Sequence, residues 1–347
     1  MLNKYDFAVG LLVFNPFDDE YHLERIEKCL SSILNSIRNY DSSKIVLNIL
    51  FNDSLIEHIG LPGVGSSTKN LVYNLSANSN INLEVCSHVY NNSMSVGYNY
   101  LFKRLHSKYD PEYITIFADD YILPVSWFNI IQREILRNKI DYLIPSTSFV
   151  AQHNLLVPFK ISNSWNLNYI EGTNKCIGVT SGVSIRDVEL ISRNSQMFST
   201  IKHVGPPSFE TTVFSKKILD KIGYLCEDYF FLFFNSEYFI KVKNAGFKGA
   251  ISRKSFVFHY GKGGTKSVFK LTGDEKFSGS PFESKLISDI NLYNFRNNKR
   301  IKKWWADRPK AVATPSNIYV YIILYYNNAL ALLKGTFIEK IIRRFLW

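Results

Sequence analysis

Cysteine is scarce: four in 347 residues, at Cys29, Cys86, Cys176 and Cys226, with no C-x-x-C pair. That spacing argues against a disulfide framework and against a structural zinc site, and a reducing cytosol is the expectation. Long apolar runs are also missing. The longest candidate, IYVYIILYYNNALALL (Ile318 to Leu333), is interrupted by Asn327 and Asn328, short of the roughly 18 uninterrupted apolar residues of a membrane span. FAVGLLVF (Phe7 to Phe14) is too short for a signal peptide and reads as a buried strand. Charged residues are only 20% of the chain against 46% hydrophobic, a balance that excludes a disordered polypeptide. Acids are the minority charge, 30 against 41 Lys and Arg, for a net charge of +11. Such an excess favours an acidic partner: nucleic acid, an anionic membrane face or a phosphorylated substrate.

What is abundant is aromatic surface, with 26 Phe and 21 Tyr, and an alternation of strand and helix patterns. FAVGLLVF and KIVLNILF (Lys44 to Phe51) are continuous apolar runs, as expected of strands covered on both faces. Between them Leu23, Ile26, Leu30, Ile33, Leu34 and Ile37 share one helical face. NINLEV, EYITIF and DYLIP read as further strands, and SVGYNYLFKRL and SWFNIIQREILRNK as helices. The Gly-, Ser- and Asn-rich stretch from Leu61 to Asn80 reads as a surface loop. The alternation predicts an α/β fold with a mostly parallel, doubly wound sheet and helices on both faces. It weakens after about residue 150. There SKKILDKIG and SEYFIKVKNAG each read as a helix closed by a glycine, and GAISRKSFVFH as a late strand ending at His259.

Ligands of such sheets bind beyond the carboxyl ends of the strands. Three polar clusters stand there: Asn15, Asn52–Asp53 and Asp119–Asp120. A solvated turn would account for any one of them. Paired oxygen anions at a strand end also suit a hard divalent cation.

In that order and spacing these segments resemble the family 2 glycosyltransferases, which have the GT-A fold and use nucleotide-activated sugars. The resemblance runs from about Phe7 to Ser267. It is carried by GLLVFN before a helix, LFNDS, NNSMSVGYNYLF, ADDYILP, GYLCEDYFFLFFNSEYFIKVKNAG and FVFHYGKGG. It implies a donor such as a UDP- or dTDP-sugar, inversion at the sugar carbon, and a divalent metal, Mn²⁺ or Mg²⁺. It places Asp120 on the metal, with His259 completing the metal shell when neutral or holding the diphosphate when protonated, Asp119 on the ribose or supporting the metal through water, and Asp53 on the nucleobase. Asn15, Gly97, Asn99 and Lys262 would line the nucleotide. The general base is implied in the block before Gly246, where Asn235 stands in the usual position. An amide is no base, so Glu237 is the nearest carboxylate, with Asp228 and Glu227 in reserve. Ala118 stands where the family often has a third acid.

The implied division is a glycosyltransferase domain over residues 1–267, with a nucleotide half (1–145) and an acceptor half (146–267). A helical, basic and aromatic extension follows at 268–347. Its last segment, TFIEKIIRRFLW, sets an apolar stripe beside Lys340, Arg343 and Arg344. That pattern suits a helix lying on an anionic membrane, or one packed on its own domain or on a second subunit. The expected role is sugar transfer to a saccharide or lipid-linked saccharide acceptor in bacterial surface polysaccharide or lipopolysaccharide synthesis, on the inner face of the membrane. Two alternatives stand beside it. One is a non-catalytic sugar-nucleotide binder, motivated by Ala118 and Asn235. The other is a nucleic-acid-binding protein, which the charge permits but no recognition motif supports.

Overall fold

The computed structural model describes residues 4–15, 20–53, 63–88, 93–147, 166–170, 176–181, 183–195, 201–202, 209–231, 233–260, 281–297 and 311–314. Strands β1 (Lys4–Val13), β2 (Ile45–Asn52), β3 (Asn82–His88) and β4 (Asp110–Ala118) form a parallel array in the order β3-β2-β1-β4. Their side chains alternate between two buried layers. Phe7, Val9, Leu11, Ile45, Leu47, Ile49 and Phe117 enter one layer. Ala8, Leu12, Val46, Leu50, Ile114 and Ile116 enter the other. This is why the strands read as unbroken apolar runs.

Helices α1 (Glu20–Tyr40), α2 (Ser66–Ala77) and α4 (Trp127–Asn138) cover the first layer. Helix α3 (Met94–Lys108) covers the second, and approaches so closely that a Cβ at Gly10 of β1 would stand 3.2 Å from both Ile116 and Leu101. Helix α2 replaces the surface loop expected over Leu61–Asn80. Its composition is polar, but Thr68 and Val72 are buried and Leu71 and Leu75 pack behind them. Gly65, with extended backbone, opens the helix, and Ser79 N–H donates to the Ser76 carbonyl at its end. The Gly, Ser and Asn that suggest a loop are the ends and the exposed face of a helix stabilised by packing.

Strands β5 (Tyr121–Ile122), β6 (Tyr142–Thr147), β9 (Ile201–Lys202), β10 (Val213–Ser215) and β11 (Gly249–His259) extend the sheet beyond β4. The three-residue β10 lies antiparallel between β4 and β6, so the parallel array stops at β4. Strand β11 runs parallel to β6, then leaves it to pair antiparallel with β5. Helices α6 (Lys216–Ile222), α7 (Phe234–Asn244) and α8 (Pro281–Asn297) add Ile218, Leu219, Phe239, Val242 and Tyr293 to the second layer. Helices α6 and α7 are each followed by a glycine with positive φ, Gly223 at 73° and Gly246 at 85°, as their sequence pattern predicts. Helix α5 (Ile185–Ser195) packs near β11. Strands β7 (Asn166–Ile170), β8 (Cys176–Ser181) and β12 (Ala311–Thr314) form a separate sheet in the order β12-β7-β8.

Phe7 lies at the centre of the first layer, its ring 5.2 Å from Phe128 and 5.5 Å from Tyr40. Phe7→Ala should lower stability by about 3–5 kcal/mol, measured by urea unfolding. An unchanged midpoint would contradict this packing.

Candidate functional site

Strand β4 ends at Ala118, and the next two residues turn the chain before β5 resumes it. The turn leaves Asp119 and Asp120 at the carboxyl edge of the sheet, beside the end of β1. The Phe14 N–H donates to Asp119 Oδ2 at 2.9 Å. One side of α1 holds the turn in place: Cys29 Sγ donates to the Ala118 carbonyl at 3.7 Å, and Ser32 Oγ accepts from Leu123 N–H at 3.0 Å. On that same side Arg25 donates from Nη2 to Asp119 Oδ1 at 3.2 Å.

The crossing of β11 onto β5 pairs His259 with Tyr121, and Tyr260 N–H donates to the Asp120 carbonyl. His259 Nε2 thereby lies 3.2 Å from Asp120 Oδ2. The imidazole is stacked on the Tyr121 ring, centroids 4.2 Å apart. Tyr121 and Tyr98 hydroxyls donate to the two oxygens of Glu210, at 2.9 and 2.8 Å. Glu210 is presented by a strained backbone: the next residue, Thr211, has φ 69° and donates its N–H to the Ile116 carbonyl. A β-branched residue in that region is uncommon, and such strain concentrates at functional sites.

The site is nearly dry: Arg25 is 2% exposed, Asp119 6%, Asp120 7% and His259 8%. Burial pushes Asp119 up to about 6, with Arg25 drawing it down and Asp120 pushing it further up. Asp120 goes the other way. Burial is the largest single influence and raises it, but the charge and hydrogen bond of His259, together with Arg25, outweigh burial and hold it below the usual carboxylate range. His259 is raised, since Asp120 and Glu210 together overcome the effect of burial. Glu210 is raised by burial.

Both signs of polarity are left unmet here. Asp120 Oδ1, Arg25 Nε and Arg25 Nη1 are buried without a hydrogen-bond partner, a condition native interiors rarely tolerate. The unmet oxygen of Asp120 fits a divalent cation, and His259 Nε2, which the hydrogen bond to Asp120 occupies, could join it only as the neutral imidazole. Among the described residues no group of three His, Cys, Asp or Glu could hold one. Two protein ligands nonetheless suit a Mg²⁺-type ion, which keeps waters and substrate phosphate oxygens in its shell.

The other two strand-end clusters are drawn together by the residues around the start of α2. Asn15 donates to Thr68 Oγ1 at 2.9 Å, and its carbonyl accepts from Gly65 N–H. Asp53 accepts from Val64 N–H at 3.0 Å and from Ser87 Oγ, and its carboxylate lies 3.1 Å from Lys69 Nζ. Burial raises Asp53, but those three partners prevail and keep it ionised. On α3, Gly97 is buried within the first turn. Asn99 is tied to the loop before α7: its amide donates to the Leu225 carbonyl and Glu227 Oε1 and accepts from Leu225 N–H, each at 2.8 Å.

Glu237 and Asp228 lie together at the start of α7 and in the loop before it. Glu237 is buried; it accepts from the Tyr229 hydroxyl at 2.5 Å, and Lys241 lies 3.2 Å away. Asp228 is exposed and pairs with Arg296 of α8 at 2.6 Å, which holds it below its ordinary value. Asn235 Oδ1 accepts from Ser236 N–H. Lys262 and the stripe at 336–347 lie outside the described residues.

Sequence reasoning misses Arg25, Tyr98, Tyr121 and Glu210. Arg25 did carry a signal: with Cys29, Ser32 and Ser36 it forms a second row beside the apolar stripe of α1, and all four are buried. Glu210 has none, since it stands before a three-residue strand with no periodicity.

No protein-family model and no curated protein matches the sequence. Among solved structures, the chain is similar to S. aureus TarS 1-349 at 14% identity and a TM-score of 0.45, over 86% of this chain and 76% of that one. It is also similar to S. aureus TarS 1-349 in complex with UDP-GlcNAc, at 12% identity and a TM-score of 0.46, over 95% of this chain and 81% of that one.

Asn99→Ala would leave the buried Leu225 backbone groups without partners. We expect a stability loss of about 1–3 kcal/mol in denaturant titration. A loss near zero would mean that the Leu225 loop does not depend on this clamp.

Proposed function

We propose that the protein is a GT-A-type glycosyltransferase that moves a sugar from a nucleoside-diphosphate sugar to a saccharide acceptor, with inversion. The observation that carries this reading is the pairing of Asp120 with His259 at the carboxyl edge of β4, where one buried carboxylate oxygen is unmet. A divalent ion, Mn²⁺ or Mg²⁺, held by Asp120 and His259 would supply Lewis-acid neutralisation of the departing diphosphate. Asp119, oriented by Phe14 N–H and Arg25, would accept from a ribose hydroxyl. Asp53 accepts from the imide N–H of a uracil or thymine ring, which favours a UDP- or dTDP-sugar. Asn15, through Thr68 and Gly65, fixes the chain between these two points. Gly97 and Asn99 shape the wall contributed by α3, and Lys262 with its flanking glycines would add an anion-binding loop.

In the transfer step the acceptor oxygen forms a bond to the anomeric carbon, the bond from that carbon to the diphosphate oxygen breaks, and the acceptor proton passes to a carboxylate. Glu237 is the carboxylate we assign, with Asp228 as the reserve. The acceptor is a saccharide, on a lipid carrier in the setting of bacterial surface polysaccharide synthesis. The basic segment at the C-terminus would hold the protein at the inner face of the membrane. Among the described residues no helix is long and apolar enough to cross one. A second reading, a binder of sugar nucleotides without transfer, is favoured by Ala118 and Asn235.

Two variants separate these readings. Asp120→Asn keeps a partner for His259 yet removes the charge that would hold the cation. It should abolish metal-dependent UDP binding in a protein that still folds, and undiminished binding would remove Asp120 from the site. Glu237→Gln should lower turnover of a UDP-hexose by about 10²–10⁴ while UDP binding survives. Wild-type turnover in Glu237→Gln would place the base elsewhere. Binding without any turnover by the native protein would favour the non-catalytic reading.

A further inference from the structure

Residues 225–231 and 233, which carry Asp228 and lead to Glu237, form no helix or strand. Their shape is imposed from two sides. Helix α3 grips one side: Met94 N–H donates to the Phe230 carbonyl at 3.0 Å, Ser95 Oγ donates to the Tyr229 carbonyl at 2.5 Å, and Asn99 ties down Leu225. Helix α8 grips the other. Its buried face repeats at helical spacing through Leu286, Asp289, Ile290 and Tyr293, an apolar stripe with one carboxylate set into it.

That carboxylate is used fully. Asp289 Oδ1 accepts from Phe230 N–H at 2.8 Å and Oδ2 from Phe231 N–H at 2.7 Å. One turn on, Tyr293 stacks on Phe233, ring centroids 4.6 Å apart, where Phe233 holds a left-handed backbone with φ 63°. At the end of the helix, Arg296 donates from Nη2 to Asp228 at 2.6 Å and from Nη1 to Cys226 Sγ at 2.7 Å. Nη1 also lies 3.8 Å from Glu237 Oε1, and the guanidinium carbon is 5.8 Å from the centre of the Tyr229 ring. Tyr229 in turn donates to the other oxygen of Glu237. A single cation from α8 therefore stands between the two acids assigned to proton transfer.

We propose that helix α8 is a positioning element of the transfer site, with Arg296 setting the Asp228–Glu237 pair and Asp289 fixing the backbone between them. This rests on the transferase reading above. It takes α8 out of a separate extension: the segment after residue 267 would complete the acceptor side. The physical reason is electrostatic and entropic. Asp228, exposed on a segment without secondary structure, would swing away from Glu237 at the start of α7, whereas a planar guanidinium hydrogen-bonded to Asp228 and 3.8 Å from Glu237 ties that segment to the helix. Catalysis is sensitive to such placement, since a misplacement of about 1 Å can cost about 10²-fold in rate.

The test uses the full chain, with UDP and Mn²⁺ as the binding probe and UDP release from a panel of UDP-hexoses, with water as acceptor, as the rate. Arg296→Met should lower kcat by about 10²-fold with UDP affinity and unfolding temperature close to native. Arg296→Lys, which keeps the charge but not the fork, should recover part of that loss. Asp289→Asn, which can no longer accept both N–H groups, should lower kcat in the same sense. Native kcat in Arg296→Met overturns the proposal. So does a fall in kcat matched by an equal fall in UDP affinity, or a Lys variant no better than Met, since each marks a general structural effect. If Arg296→Met does not fold, the Lys and Asn variants decide by the same measures. A wild-type protein that neither binds UDP nor releases it overturns the transferase reading, and this inference with it. Failure of the variants alone leaves the transferase reading standing.

Discussion

The arrangement depends on two adjacent carboxylates taken out of water at the end of a central strand. Burying one ionised acid is costly, and burying two side by side adds their repulsion. The fold meets that cost with one cation for each: Arg25 from α1 on Asp119, and His259 from β11 on Asp120. The two cations come from distant parts of the chain. The first requires α1 to lie against the β4–β5 turn, which Cys29 and Ser32 secure. The second requires β11 to leave β6 and cross to β5, which the pairing of His259 with Tyr121 secures. Losing either cation would leave an uncompensated charge in the interior, so the carboxylates tie the two halves of the sheet together as well as forming the site.

Compensation is incomplete, and that is informative. A cluster built only for stability would leave neither Asp120 Oδ1 nor two guanidinium nitrogens without partners. Nor would it need Thr211 in a left-handed conformation to present Glu210 beneath Tyr121 and His259. A ligand bearing both a cation and oxygen acceptors would satisfy both sets of unmet groups, and a metal-bound diphosphate is such a ligand. The acids assigned to the acceptor side are placed differently. Asp228 sits on an irregular segment whose shape comes from α3 and α8, and Glu237 on the first turn of the helix that follows it.

Much of this was legible in the sequence where one physical rule dominates. Strands β1 and β2 are unbroken apolar runs because both faces are buried, and α1 shows its stripe because it has one dry face. Asp119–Asp120 stood out because acids at the end of an apolar strand need a reason. Helix α2 was hidden because its residues are polar and only Thr68 and Val72 commit it to the core. Strand β10 was hidden because three residues have no period. Glu210 and Arg296 were hidden because their roles arise from contacts across more than 60 residues of chain, with Tyr121 and Asp228. Sequence pattern reports the local element, and it is the pairing of β11 with β5 and the docking of α8 that decide which charges meet.

The central claim is that Asp120 and His259 hold a divalent ion against a nucleoside diphosphate. Calorimetric titration of the intact protein with UDP, in Mn²⁺ and again in chelator, tests it most directly. Binding in Mn²⁺ that is lost in chelator, with one ion taken up per protein, is the predicted result. UDP affinity that is the same with and without the metal, or no binding of UDP, dTDP or any other nucleoside diphosphate under either condition, would contradict it.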